Sequence, residues 1–228
     1  MKLIIQIPCY NESSTLALTL AELPRQLEGF DEVEWLIVDD GSADGTAEVA
    51  SRNGVDRIVR HPHNMGLARA FMSALEASLS RGADVIVNTD ADNQYCAQDI
   101  PALVQPILDG SADIVIGARP IQAIEHFSPL KKLLQKLGSW VVRLASKTDV
   151  PDAPSGFRAI SRQAAQRRVV VSDYTYTLET IIQAGQKNMA VTSGPVRVNE
   201  ERRPSRLVRS IPVYLRRSIM TIIRIFAI

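Results

Sequence analysis

Val85-Ile86-Val87-Asn88-Thr89-Asp90-Ala91-Asp92-Asn93-Gln94 is the stretch on which the fold turns. Its apolar, β-branched opening has the composition of a strand buried on both faces, as in parallel sheets covered by helices. The carboxylates follow where such a strand ends, and in open α/β sheets ligands gather outside the carboxyl ends of the strands. If the chain continues extended, alternate residues point the same way, so Asp90 and Asp92 share a side and Gln94 continues it. Oxygen ligands at that spacing suit Mg2+ or Mn2+, which keep several waters and bind the diphosphate oxygens of a substrate. An Asp-x-Asp pair arises often by chance in loops; its weight comes from lying behind a buried strand.

Working outward, the same sentence is written twice more upstream. The run Leu3 to Ile7 ends in Pro8-Cys9-Tyr10-Asn11-Glu12, and Glu34 to Val38 ends in Asp39-Asp40-Gly41-Ser42-Ala43-Asp44-Gly45-Thr46. Arg57 to Arg60 and Asp113 to Ile116 read as further strands. Between them fall helices: one capped by Ser13 or Ser14 and running to about Gln26, one capped by Asp44, and one over residues 67 to 80 with Leu67, Phe71, Leu75 and Leu79 on one face. This alternation predicts an α/β fold with a mostly parallel sheet flanked by helices. At the first strand end, Tyr10 could stack on a base and Glu12 could accept from a base or ribose hydroxyl, while a structural reading makes Pro8 a strand terminator and Asn11 a cap. At the second, two adjacent carboxylates repel each other, which favours donors from a ligand, such as a base N–H, over plain turn structure.

After Arg119 the alternation fails. Residues 127 to 147 place Phe127, Leu130, Leu133, Leu134, Leu137, Trp140, Val141 and Leu144 at helical spacing, with Lys131, Lys132, Lys136, Arg143 and Lys147 elsewhere around the helix. Two readings stay open: a helix on the surface of an anionic membrane, or one packed on the core with a solvated basic face. Asp152-Ala153-Pro154-Ser155-Gly156 reads as a turn and Met189 to Val198 as a late strand. Residues 197 to 228 carry eight arginines against two glutamates, in a chain of 228 residues whose net charge is only +1. With 46% apolar and 22% charged residues the chain is an ordinary globular one. Two cysteines imply no disulfide framework. No export signal or apolar run of spanning length is visible, so the expected place is the cytoplasmic side. The sequence halts in Ile-Phe-Ala-Ile, as though transmembrane helices had followed.

Taken together, Pro8 to Glu12, Val38 to Ser42 and Asp90 to Gln94 resemble the family 2 glycosyltransferases of GT-A fold. Gly117-Ala118-Arg119, Ser155-Gly156-Phe157-Arg158 and the late basic segment resemble, within them, the polyprenyl-phosphate sugar synthases of the dolichol-phosphate mannose synthase group. The resemblance covers nearly the whole chain. It implies a catalytic domain over 1–200, with a nucleotide-sugar half over 1–118 and an acceptor half over 119–200, followed by a membrane-associated amphipathic segment over 201–228. It also implies that Pro8, Tyr10, Glu12, Asp39 and Asp40, together with Asp90 and Ala91, serve the UDP or GDP nucleotide. Asp90, Asp92 and Gln94 would serve the metal, and Arg119, Arg202, Arg203 and Arg206 the phosphates, with Asp92, Arg119 and Arg202 acting in catalysis. Arg forks match phosphate oxygens, although clustered arginines are usually a solvated charge run.

A hydroxyl acceptor needs a general base, whereas a phosphate monoester is already largely dianionic near neutral pH. No acidic pair between residues 150 and 170 is placed like such a base; Asp152, Asp173 and Glu179 are the single candidates. The expectation is therefore a polyprenyl phosphate acceptor at an anionic membrane surface, with no nucleic acid partner and the question of a homo-oligomer open. Competing readings are transfer to a saccharide hydroxyl, a nucleotidyltransferase, which would need a glycine-rich loop after the first strand, and a non-catalytic nucleotide-binding, membrane-docking module.

Overall fold

The computed structural model describes residues 1–121, 129–167 and 176–199. One seven-stranded sheet organises them. Its first half alternates as expected: β1 (Lys2–Cys9), α1 (Leu16–Glu22), β2 (Glu32–Asp39), α2 (Thr46–Arg52), β3 (Arg57–Arg60), α3 (Leu67–Ser80) and β4 (Val85–Asn88). A 3-10 turn at Ala97–Asp99 leads into α4 (Ile100–Leu108), then come β5 (Ile114–Ala118), α5 (Pro129–Ser146), β6 (Arg158–Ser161), α6 (Arg162–Gln166), α7 (Tyr176–Gln186) and β7 (Val191–Pro195).

The strand order is β3-β2-β1-β4-β6-β5-β7. Pairing is parallel except around β6, which runs antiparallel to both β4 and β5. Parallel β1, β2 and β4 therefore bring the three expected clusters to one sheet edge, with Cys9 in register with Asp39 and Gln6 with Asn88. Because β6 runs the other way, its first residue, Arg158, lies opposite Asn88 at that same edge.

The five inner strands are buried on both faces, which splits the core into two layers. Leu3, Ile5, Ile7, Trp35 and Val87 pack beneath α1 and α4, while Ile4, Leu36 and Ile86 pack on the other face against Phe71 and Leu75 of α3 and against α7. Several sequence boundaries shift. The first helix is preceded by Thr15 rather than Ser13 or Ser14 and stops at Glu22, four residues short of Gln26. The cap of α2 is Gly45 rather than Asp44, which lies one residue earlier and accepts through its carboxylate from the Thr46 N–H and hydroxyl. The late strand is confined to Val191–Pro195.

The helix expected over 127–147 is observed as α5. Leu133, Trp140 and Leu144 of its apolar stripe point outward. Ser139, Val142 and Ser146 are buried, and Leu133, Trp140 and Leu144 are 62%, 51% and 62% exposed. Small residues face α7 because the backbones approach closely; a side chain on Gly185 would collide with the Ser146 carbonyl. Among the described residues no helix is long and apolar enough to cross a membrane.

Candidate active site

The ends of β1 and β2 are laced together. Asn11, at φ 55°, accepts from the Ala43 N–H through Oδ1 and donates its own N–H to Ser42 Oγ. The Glu12 N–H donates to Thr46 Oγ1, and the Glu12 carboxylate, itself buried, accepts from Thr15 Oγ1 at 3.2 Å. Tyr10 is left 41% exposed at this edge. Pro8 does not terminate β1: it pairs with Val38 inside the sheet, and Cys9, in register with Asp39, closes the strand.

Asp39 and Asp40 depart from the sequence reading. The donors assigned to a ligand come from the chain instead. Asp40 Oδ1 accepts from the Met65 N–H at 2.8 Å and meets His61 Nδ1 at 2.7 Å, and Oδ2 accepts from the Gly66 N–H at 2.9 Å. Asp39 accepts from the Ser42 N–H, with Arg60 3.8 Å away. The loop at 61–66 comes close because residue 41 is glycine: a Cβ there would sit 2.4 Å from the His63 carbonyl carbon, and its φ of 73° suits glycine. Asp40 is thus a structural anchor for that loop, and the mutual repulsion of the pair is offset by separate donor sets.

At the third cluster β4 ends at Asn88, and Ala91 to Asn93 turn rather than extend, with Asn93 at φ 58°. Strand alternation therefore does not place Asp90 and Asp92; the turn does. Thr19 Oγ1 holds the Ala91 carbonyl, Asp92 Oδ1 accepts from the Gln94 N–H, and Asn93 reaches Glu22. From the other side, Asn199 donates its N–H to the Gln94 carbonyl at 2.8 Å and its amide to the Asn93 carbonyl.

The three clusters share one neighbourhood. Burial pushes the Cys9 thiol far above its usual range, and Glu12, Asp39, Asp44 and Asp90 each add to the rise. Acids from all three strand ends thus act on a single sulfur. Among the described residues no three His, Cys, Asp or Glu side chains gather as a metal-binding group. The turn nonetheless fits Mg2+ or Mn2+, since such ions need only one or two protein carboxylates when substrate phosphates and water complete the shell. Gly156 lets Asp90 approach closely, because a Cβ on it would lie 2.9 Å from Asp90 Oδ1.

Arg119, expected to face phosphate, forms a fork with Asp152 instead: Nε to Oδ2 at 2.7 Å and Nη2 to Oδ1 at 3.0 Å. Both side chains are buried. Burial works against the Arg119 charge, but Tyr95, Asp152 and Asp90 outweigh it and hold the guanidinium protonated. Asp152, expected in a turn, is thus a buried counter-ion. Glu179 is buried in α7 and accepts from Gln183. Arg202, Arg203, Arg206 and Asp173 lie outside the described residues, as does the amphipathic segment 201–228.

Sequence reasoning passed over the wall behind Asp90. Tyr95 stacks on Phe157 with ring centroids 5.0 Å apart, its hydroxyl accepts from the Gly156 N–H, and burial pushes its pKa up to about 12. Arg158 is wholly buried and donates to the carbonyls of Ala153 and Ser155 and to Thr180, fixing the 153–156 loop through neutral acceptors. A buried arginine without a carboxylate partner has no signature in a single sequence.

A mostly parallel sheet with helices on both faces, one reversed strand and acids along its carboxyl edge is the GT-A arrangement. The chain belongs to the family described as glycosyl transferase family 2, whose model matches residues 4–169, and it is a glycosyltransferase. It is 30% identical over 165 residues to undecaprenyl-phosphate mannosyltransferase of Micrococcus luteus, covering 70% of this chain and 66% of that one. It is 29% identical over 213 residues to UDP-N-acetylglucosamine–dolichyl-phosphate N-acetylglucosaminyltransferase of Methanococcus voltae, covering 84% and 83%. Among solved structures, glucosyl-3-phosphoglycerate synthase from Mycobacterium tuberculosis in complex with phosphoglyceric acid superposes with a TM-score of 0.79 at 19% identity, over 100% of this chain and 80% of that one. The same protein has been solved with Mn2+, uridine diphosphate and phosphoglyceric acid.

Proposed function

We propose that this enzyme transfers a hexose or N-acetylhexosamine from a UDP- or GDP-sugar to a polyprenyl phosphate, with inversion and with Mg2+ or Mn2+, at the cytoplasmic membrane face. The observation that carries the acceptor is the Arg119–Asp152 fork. Among the described residues, Asp152, one of the candidate general bases, is buried and bound through both oxygens to a guanidinium. An acceptor that arrives ionised needs no base. A phosphate oxygen forms the bond to C1, the bond from C1 to the nucleotide diphosphate breaks, and its electron pair leaves with the diphosphate.

Tyr10, exposed beside Asp39, is offered to the base, and Asp90, Asp92 and Gln94 would hold the ion. When bound, that ion neutralises charge on the departing diphosphate. Arg119, neutralised by Asp152, fixes the wall on the acceptor side of the sheet edge. The Asn199 anchor on Gln94 supports a phosphate role for the arginines, because Arg202 and Arg203 follow within four residues and an extended chain covers only about 3.5 Å per residue. The outward stripe of Leu133, Trp140 and Leu144, on a helix that bears Lys132, Lys136 and Arg143 and no acid, supports docking on anionic lipid.

The deciding experiment offers UDP-glucose, UDP-N-acetylglucosamine, UDP-galactose and GDP-mannose with a short polyprenyl phosphate, against free saccharides as acceptors. Formation of a polyprenyl-phosphate sugar from one donor is expected. Transfer to saccharide hydroxyls alone would overturn the acceptor assignment.

A further inference from the structure

The turn that carries Asp92 is held on both sides by parts of the chain remote from it in sequence. Before Asp92, Thr19 Oγ1 of α1 donates to the Ala91 carbonyl at 3.0 Å. After it, residues 197–199 run antiparallel to residues 94–96. The Cys96 N–H donates to the Arg197 carbonyl at 3.3 Å, Val198 bridges Tyr95, and the Asn199 N–H donates to the Gln94 carbonyl at 2.8 Å. Arg197 secures this run farther back, with Nε and Nη2 on Asp99 Oδ1 at 2.9 and 2.6 Å.

Between the two attachments lies Asn93, buried and left-handed at φ 58°. Its carbonyl can only accept, so Asn199 must turn Nδ2 toward it, at 3.0 Å. The same Nδ2 meets Glu22 Oε2 at 3.3 Å and the Tyr95 carbonyl at 3.4 Å, which are acceptors too. Glu22, the last residue of α1, accepts from Asn93 Nδ2 through its other oxygen at 3.1 Å. One carboxylate thus takes a hydrogen from each asparagine, and three oxygens share the Asn199 amide.

The Asn93 carbonyl belongs to the same peptide unit as the Gln94 N–H, and that N–H donates to Asp92 Oδ1 at 3.2 Å. A trans peptide is a rigid plane whose C=O and N–H point to opposite sides. Whatever holds the carbonyl therefore aims the N–H, and through it the Asp92 carboxylate.

We infer that Asn199 is a positioning residue: its side-chain amide fixes the Asn93–Gln94 peptide plane, and the other edge of that plane sets the Asp92 carboxylate for a divalent cation. This rests on the reading of Asp92 as a metal ligand. Partners that orient a ligating side chain are worth about ten- to a hundredfold in metal affinity.

The test is Mn2+ binding in the presence of UDP, followed by electron paramagnetic resonance, alongside the thermal midpoint of metal-free protein. Asn199→Ala keeps the backbone bond to Gln94 and removes the amide; Mn2+ affinity should fall about tenfold while the midpoint barely moves. Asn199→Asp has the same shape and no hydrogen to donate, and should weaken Mn2+ at least as much. Arg197→Ala removes the side-chain bonds to Asp99 and none to residues 91–95, and should leave Mn2+ affinity unchanged. Unaltered affinity in either Asn199 variant, or an equal loss in Arg197→Ala, would overturn the inference and leave the metal reading standing. Wild-type protein that binds no Mn2+ with UDP would overturn both.

Discussion

Two turns in this molecule look alike in sequence and differ in what they do with their acids. Asp39-Asp40 and Asp90-Ala91-Asp92 both follow apolar strands, at the same edge of the same sheet. The first is filled by the chain: two backbone N–H groups and a histidine on Asp40, another N–H on Asp39. The second is held through its backbone, by Thr19 on the Ala91 carbonyl and Asn199 on the Gln94 carbonyl, and Asp90 lies against the bare Cα of Gly156. Asp40 ties its turn to a distant loop, whereas Asp92 bonds within its own turn, Oδ1 accepting from the Gln94 N–H.

The comparison breaks most readily at Asp92. Asp92→Ala should cut transfer about a thousandfold, or ~4 kcal/mol of barrier, with an unchanged unfolding midpoint; activity near wild type in metal-replete assays would put both turns in the scaffold class. Asp40→Ala should do the reverse and cost about 3 kcal/mol of stability in denaturant titrations, because it strands the Met65 and Gly66 N–H groups and His61. A full-strength fold in that variant would remove the distinction.

Membrane docking gives a smaller effect. Replacing Leu133, Trp140 and Leu144 together by serine should change stability by no more than about 0.5 kcal/mol, since surface positions are tolerant. It should abolish flotation with anionic vesicles, while salt alone should weaken wild-type flotation. Binding that ignores both would reject the docking face.

The smallest effect calibrates the comparison with an acid answered by cations. Glu34, near the opposite end of β2, is held by Arg81 at 2.6 and 2.8 Å and by Lys2 at 2.6 Å. The Arg81 hydrogen bond foremost, then Lys2, lowers its pKa from 4.5 to about 2. The folded value lies below the ordinary one, so this stabilisation is complete above pH about 4.5 and is lost as pH falls toward about 2. Thermal midpoints measured across that window should fall less steeply for Glu34→Gln than for wild type.

The strands of the first half were legible because each is a continuous apolar run bounded by turn residues, and their parallel order follows from the helices between them. Reading the Asp90 turn as extended failed because nothing nearby in sequence announces Asn93 in a left-handed bend. The donors to Asp40 were hidden for a different reason: they come from residues 61 to 66, brought in by the bare Cα of Gly41. β6 was missed because four residues with a buried arginine among them lack any strand period. Periodicity identified α5 as a helix and left open where its stripe points. That depended on how closely Gly185 lets Ser146 approach, which is a property of two helices rather than one.

The reversed strand has one more consequence. Since β5 and β6 are consecutive and antiparallel, with Gly117 donating to the Phe157 carbonyl, residues 119–157 form one long excursion whose two ends are pinned side by side. The entropy of closing a loop grows only with the logarithm of its length, about 0.6 kcal/mol for each doubling. Chain entropy alone therefore sets little limit on the length of the excursion, whereas Asp152, paired with Arg119, and Gly156, packed against Asp90, tie its last turn to the site.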